Sequence, residues 1–133
     1  MITQFSQIKW GRVTLTALAV YILSFLTVIL IVTGYATSLA IQARGAPDQT
    51  LIAAFADQNA PWIGPFSLIL FTFLGAMRLA RRVETALPLH GIILGVLAGL
   101  VNFVFGGLGL SDLALVILTI GAGWFGSRLG NPK

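Results

Sequence analysis

The stretch HGIILGVLAGLVNFVFGG, residues 90–107, decides how this chain is organised. It contains no Asp, Glu, Lys or Arg, and glycines recur every four residues at Gly91, Gly95 and Gly99. Residues four apart lie on one face of a helix, so these three positions, the glycine ridge, form a strip without side chains. Helices in lipid gain no hydrophobic energy by meeting, and small residues allow the close backbone packing that holds them together. The stretch therefore predicts a membrane-spanning helix that packs through its glycine ridge.

The composition of the whole chain indicates an integral membrane protein. Of 133 residues, 57% are hydrophobic and only 9% are charged, and the mean hydropathy is +0.95. There is room for one domain of about four spans at roughly 20 residues each. The chain has no cysteine, which excludes disulfides and thiolate metal sites. Its pI near 10.4 is better explained by loop orientation and anionic lipid headgroups than by nucleic acid, which we do not expect as a partner.

We predict an all-α, four-helix integral membrane bundle that forms a single domain over residues 1–133. The predicted spans cover residues 13–41, 62–80, 89–107 and 113–129. The first is too long for the apolar core of a signal peptide, so it is expected to be retained. It also exceeds the bilayer core, so the helix either tilts or emerges on the far side. The short connection between the second and third spans predicts that they are antiparallel neighbours.

The first outer loop, residues 43–61, breaks the apolar pattern. Within it, Asp48 is expected to cap a short amphipathic helix over residues 49–58 that lies on the membrane surface. Pro61 and Pro65 are expected in the first turn of the second span, where no amide donor is needed. The alternative is a loop that binds a partner or covers a pore.

Two features of the later spans extend the packing hypothesis. The fourth span carries small residues at four-residue spacing, Ala122, Gly126 and Gly130 in one row and Gly123 and Ser127 in another, which we predict to meet the glycine ridge. Asn102 follows Gly99 by three residues, and its amide needs a partner because lipid offers none. We expect it to form a hydrogen bond across the bundle; the alternative is that it lines a path for a solute.

The basic residues predict the orientation. In a four-span topology Arg44 lies alone on one side, and the positive-inside rule places the other side, with both termini, in the cytoplasm. That side holds Lys9, Arg12, Arg78, Arg81, Arg82, Arg128 and Lys133. The densest cluster, Arg78, Arg81 and Arg82, together with Glu84, is a candidate site for a phospholipid headgroup or an acidic partner. The alternative is that these arginines only orient the chain and reach the interface.

Catalytic and metal-binding patterns are missing from the sequence. His90, the only histidine, is expected in the first turn of the third span, where it reaches water or bonds a neighbour. It is also a candidate ligand for a metal or a pigment magnesium, or a pH sensor, but no second ligand is spaced with it. There is no zinc motif, paired carboxylate or phosphate loop, and no charged residue in the core of a span. We therefore expect no enzyme activity, no metal and no cofactor.

The segment from Gly75 to Phe105 resembles a pattern in small four-span bacterial membrane proteins of unknown function. In these, a helix ends in a basic turn and a glycine-zipper helix follows that opens with His-Gly. The matching residues here are Arg78, Arg81, Arg82, His90, Gly91, Gly95 and Gly99. The pattern often shows a glycine pair in the second helix, where this chain has only Gly75. The resemblance implies a bacterial inner-membrane bundle and no activity.

Three functions follow as expectations. The first is a structural or accessory subunit that packs against other membrane proteins, or against itself, through its small-residue faces. The alternative is a channel or carrier for a small neutral solute, acting as an oligomer, with Asn102 along the path. The third is a lipid-binding or pH-sensing membrane protein that uses the arginine cluster and His90.

Overall fold

Four α-helices make up the fold in the computed structural model, which describes residues 8–83, 87–106 and 109–130. They are α1 (Trp10–Ala43), α2 (Gln49–Ala80), α3 (Leu87–Gly106) and α4 (Leu110–Leu129). No strand occurs in these described ranges. The predicted all-α, four-helix class is confirmed, and each helix is longer than or shifted from its predicted span.

The helices alternate in direction along the chain and form a ring in the order α1, α2, α4, α3, in which α2 runs parallel to α4 and α3 parallel to α1. Within the described residues, α2 and α3 touch across the short diagonal of this ring, while α1 and α4 do not meet. The predicted neighbours α2 and α3 therefore pack less closely with each other than either packs with α4. Only 11% of the most apolar part of α1 is buried, against 33% for α2, so α1 is the peripheral helix.

The first two helices form a hairpin that is much longer than the other two. At 1.5 Å per residue, the 34 residues of α1 and the 32 of α2 extend about 51 and 48 Å, and the 20 residues each of α3 and α4 about 30 Å. Met77 of α2 lies beside Gly130 at the end of α4, so α2 continues about one turn past α4 at that end. Followed back along these parallel helices, the same register places Leu110 of α4 near Asp57 of α2, so the hairpin extends about 12 Å past the start of α4.

The prediction of a separate surface helix in the first outer loop is wrong. One continuous helix runs from Gln49 to Ala80, with Pro61 and Pro65 inside it. Each proline removes one backbone donor, but α1 packs along α2 on both sides of them: the rings of Tyr35 and Phe55 stack with centroids 4.0 Å apart, and Val28 approaches Gly64. This packing holds the helix together through residues that would end an isolated one.

The helix ends are fixed by local hydrogen bonds. Asp48 begins α2, as predicted, and accepts from the hydroxyl of Thr50 at 2.7 Å and from its amide at 2.8 Å. These bonds lower the pKa of the Asp48 carboxyl. The cap of α4 is Gly109, and its amide donates to the carboxylate of Asp112, which is the third helical residue. The helix α4 therefore begins three residues before the predicted span of residues 113–129.

Three of the helices are long and apolar enough to cross a membrane: α1, α2 and α4. Among the described residues, α3 contributes an apolar helical stretch over Pro88–Asn102. Because α3 lies in the ring beside these helices, the fold fits a membrane protein.

One buried hydroxyl lacks a partner. Thr72 on α2 is fully buried, and within the described ranges its Oγ1 is the one buried side-chain nitrogen or oxygen without a hydrogen bond. A buried hydroxyl without a partner costs about 1–3 kcal/mol. Replacing Thr72 with valine, which keeps the branched shape, should therefore stabilise the bundle by about 1–2 kcal/mol in a detergent unfolding titration.

The control for this prediction is Thr119→Val. Thr119 is equally buried, but its hydroxyl donates to the carbonyl of Val116 at 2.9 Å. This variant should be neutral or slightly less stable than the natural chain. If Thr72→Val lost as much stability as Thr119→Val, the Thr72 hydroxyl would not be destabilising the bundle.

Candidate functional site

The glycine ridge on α3 lies directly against α4. A β-carbon built on Gly91 would overlap the carbonyl oxygen of Gly123, and one on Gly95 would lie 2.6 Å from the Cα of Ile120. At Gly99 it would lie 2.8 Å from the hydroxyl oxygen of Thr119. Such separations are too short for real side chains, so α3 and α4 are in backbone contact along the whole ridge.

The two small-residue rows of α4 face two different helices. The row of Gly123 and Ser127 faces Gly91, but a β-carbon on Gly126 would overlap the Phe73 carbonyl of α2, and one on Gly130 the Met77 carbonyl. Positions 123 and 126 are about 60° apart around a helix with 3.6 residues per turn, so each row faces its own neighbour in the ring. The prediction that the row of Gly126 meets the ridge on α3 is corrected to a contact with α2.

Asn102 lies where two cavities meet. One, of about 130 Å³, is bounded by α1, α2 and α3, and the other, of about 550 Å³, by α2, α3 and α4; both are lined by Asn102 and Gly64. Asn102 is half-buried. The predicted hydrogen bond across the bundle is not found between its amide and another described residue. Asn102 therefore borders both cavities and is not bonded to a described residue across the bundle.

His90 connects the start of α3 to the start of α1. Its side chain is 1% exposed, and its Nε2 accepts a hydrogen bond of 3.2 Å from the backbone amide of Lys9, the residue that precedes α1. An accepting Nε2 fits the neutral imidazole with its hydrogen on Nδ1. Of the two predicted environments, the bond to a neighbour is the one found. In the described part of the chain, no three His, Cys, Asp or Glu residues are placed to hold a metal.

The arginine cluster of the sequence divides in the structure. Arg78 and Arg82 line a groove between α1 and α2, together with Arg12 from the start of α1, whereas Arg81 is exposed outside it. Arg12 Nη1 donates to the carbonyl oxygen of Arg82 at 2.8 Å, which joins the two ends. Arg12 was missed as a site residue because it is far away in sequence, although an antiparallel hairpin brings residue 12 beside residues 78–82. Glu84, predicted in this cluster, lies outside the described residues.

The groove, which we call the arginine groove, continues from these side chains along the apolar faces of both helices. Two overlapping cavities of about 500 and about 470 Å³ share Leu15, Thr16, Gly75, Arg78 and Arg82. The deeper one is also lined by Ala19, Val20, Leu23, Phe71 and Leu74. The floor is narrow because Gly75 admits Val20 and Thr16 of α1: a β-carbon there would lie 3.0 and 3.1 Å from their methyl carbons.

Charge is distributed unevenly between the two ends of the bundle. The described carboxylates, Asp48, Asp57 and Asp112, lie toward the end with the α1–α2 turn and the start of α4. Arg128, at the same end as the arginine groove, lies with its guanidinium carbon 4.1 Å from the ring centroid of Trp124. No described carboxylate is therefore available to neutralise the arginines of the groove.

Comparisons of this chain with protein-family models, curated proteins and solved structures gave no match. The resemblance to small four-span bacterial membrane proteins thus stays a prediction.

Proposed function

We propose that this chain is a small, non-enzymatic accessory subunit of a larger membrane protein, to which it docks through the tip of the α1–α2 hairpin. The observation that carries the proposal is the projection of this hairpin about 12 Å past the start of α4. The tip is defined as the last turn of α1, the connecting turn and the first turn of α2, and it includes Ile41 and Leu51.

The tip carries apolar side chains at a depth where lipid does not explain them. Trp62 lines a cavity together with Ser111 and Asp112 near the start of α4. With Trp62 at the interface, Leu51 lies roughly 16 Å farther out, whereas the headgroup layer is only about 5–8 Å thick. Ile41 is 73% and Leu51 48% exposed. Exposed apolar residues in the aqueous phase are typical of a protein contact.

The glycine faces are less suitable for such a contact than the sequence implied. Gly91, Gly95, Gly99 and Gly123 are occupied between α3 and α4, and Gly126 against α2. A partner could reach these backbones only by separating helices of the same chain. We therefore assign docking to the hairpin tip and to the peripheral helix α1.

The proposed topology has four spans with both termini in the cytoplasm of a bacterial inner membrane. Support comes from the end of the bundle where α1 starts and α4 finishes, which holds Lys9, Arg12, Arg78, Arg81, Arg82 and Arg128 among the described residues. By the positive-inside rule this end faces the cytoplasm. The hairpin tip then faces the opposite, extracytoplasmic side.

The proposal predicts that Ile41→Ser with Leu51→Ser reduces recovery of the partner. The purified natural chain should carry a larger membrane protein at a fixed molar ratio in mild detergent, and the double variant should retain less than about a tenth of it, since each buried apolar side chain contributes about 1.5–3 kcal/mol. Recovery is measured by quantitative mass spectrometry of the affinity-purified chain, made at natural levels.

The matched control is Gln42→Ser with Thr50→Ser, which changes exposed polar residues of the same tip. It should leave the ratio unchanged. If Ile41→Ser with Leu51→Ser recovered as much partner as the natural chain does, docking at the tip would be contradicted. Solute flux from the pure chain in liposomes, abolished in Asn102→Leu, would replace the accessory role with the channel alternative.

A further inference from the structure

The arginine groove has the dimensions of one lipid in one leaflet. From Arg12 to Leu23 on α1 the groove covers 11 residues of helix, or about 16 Å, and on the other side it runs from Arg82, just past the end of α2, to Phe71. Half of a hydrocarbon core is about 15 Å thick. A groove that begins at arginines near the interface therefore ends near the middle of the bilayer.

The deep part of the groove is apolar, like the acyl chains of a phospholipid, and its mouth is cationic, which suits a phosphate headgroup. The deep part is apolar and is open sideways to lipid: Leu15 is 68%, Leu23 46% and Leu74 40% exposed. At the mouth, Arg12, Arg78 and Arg82 present planar guanidinium groups, which match phosphate oxygens in geometry as well as in charge. A soluble anion would use the mouth alone and leave the apolar part without a function.

We propose that the arginine groove binds one anionic phospholipid of the cytoplasmic leaflet, with its phosphate at the three arginines and an acyl chain along Leu15, Leu23 and Leu74. The hydrogen bond from Arg12 to the Arg82 carbonyl keeps the mouth assembled before the lipid arrives. Gly75 allows α1 and α2 to approach closely at the floor of the groove, so the acyl chain of the lipid lies against backbone and small side chains. This inference does not depend on the accessory role.

The test titrates the full-length purified chain, in an uncharged detergent, with phosphatidylglycerol or with phosphatidylcholine, and counts bound lipid by native mass spectrometry. We expect one phosphatidylglycerol per chain and a much weaker association of phosphatidylcholine. Arg78→Gln with Arg82→Gln should weaken phosphatidylglycerol binding about 30-fold, or about fivefold for each arginine near the membrane surface. Arg81→Gln with Arg128→Gln removes the same charge at the same end and should change binding less than about twofold.

A second pair of variants tests the apolar part without changing charge. Ala19→Trp fills the groove, whereas Leu18→Trp adds the same side chain at an exposed position outside it. Only Ala19→Trp should reduce lipid binding, with the helical content of both variants unchanged by circular dichroism. Equal losses in the two arginine pairs, or phosphatidylcholine binding as tight as phosphatidylglycerol, would overturn the proposal. Displacement of the lipid by millimolar inorganic phosphate, with Ala19→Trp without effect, would show a soluble-anion site and overturn it equally.

Discussion

Replacing Gly123 with alanine should destabilise the bundle by about 2 kcal/mol or more, because a methyl group there would overlap the carbonyl oxygen of Gly91 and must push α3 and α4 apart. The same change at Gly121, two residues away on α4, meets nothing within 4 Å. Alanine favours a helix over glycine by about 1 kcal/mol, so Gly121→Ala should be neutral or stabilising. The pair therefore predicts opposite signs for one chemical change on one helix.

The measurement is the unfolding midpoint of each purified variant in a denaturing-detergent titration, followed by circular dichroism. A double variant, Gly91→Ala with Gly123→Ala, adds a test of mechanism. Once the first methyl group has separated the helices, the second should cost less than it does alone, so the two losses should not add. Equal midpoints for Gly123→Ala and Gly121→Ala would show that the close approach of α3 and α4 does not hold the bundle together.

The glycine spacing could predict that α3 packs through one face, since four-residue periodicity is a local property of a helix. It could not predict which of two adjacent rows on α4 that face would meet. Gly123 and Gly126 are only three residues apart, and their assignment to α3 and α2 depends on the order of helices around the ring. That order results from contacts between distant segments, which periodicity does not contain.

In the outer loop, the local sequence signals predicted a break in the helix that the structure does not have. Asp48 was recognisable as a cap, but Pro61 and Pro65 indicated a helix start and instead lie within α2. Proline rules describe the cost in an isolated helix, whereas the stack of Tyr35 on Phe55 and the packing beside Gly64 depend on the neighbouring helix. The projecting hairpin therefore became visible only in three dimensions.

The candidate lipid site could be predicted only in part, because one of its three arginines is distant in the sequence. Arg78 and Arg82 stand out in the sequence because they are close together, but Arg81 in the same cluster points elsewhere and Arg12 completes the groove. Side assignment by the positive-inside rule placed all four at one interface. Only the antiparallel register of α1 and α2 selects the three that share a groove.

Replacing His90 with leucine should destabilise the bundle by about 1–3 kcal/mol, because the amide of Lys9 loses its acceptor while the buried volume is largely retained. The effect should be concentrated at the start of α1, which this hydrogen bond ties to α3. Hydrogen exchange of the amides of residues 9–13 should therefore accelerate more than exchange in the middle of α3. Both quantities can be followed on the same purified chain in detergent.

The conservative control is His90→Gln, since the glutamine side-chain oxygen can reach roughly the position of Nε2 and accept from the same amide. It should recover at least half of the stability lost in His90→Leu and restore slow exchange at the start of α1. If leucine and glutamine are equally destabilising and exchange at residues 9–13 is unchanged, His90 acts only by filling volume. If glutamine restores both, the only histidine of the chain is the link that fixes α1, and with it Arg12, against the rest of the bundle.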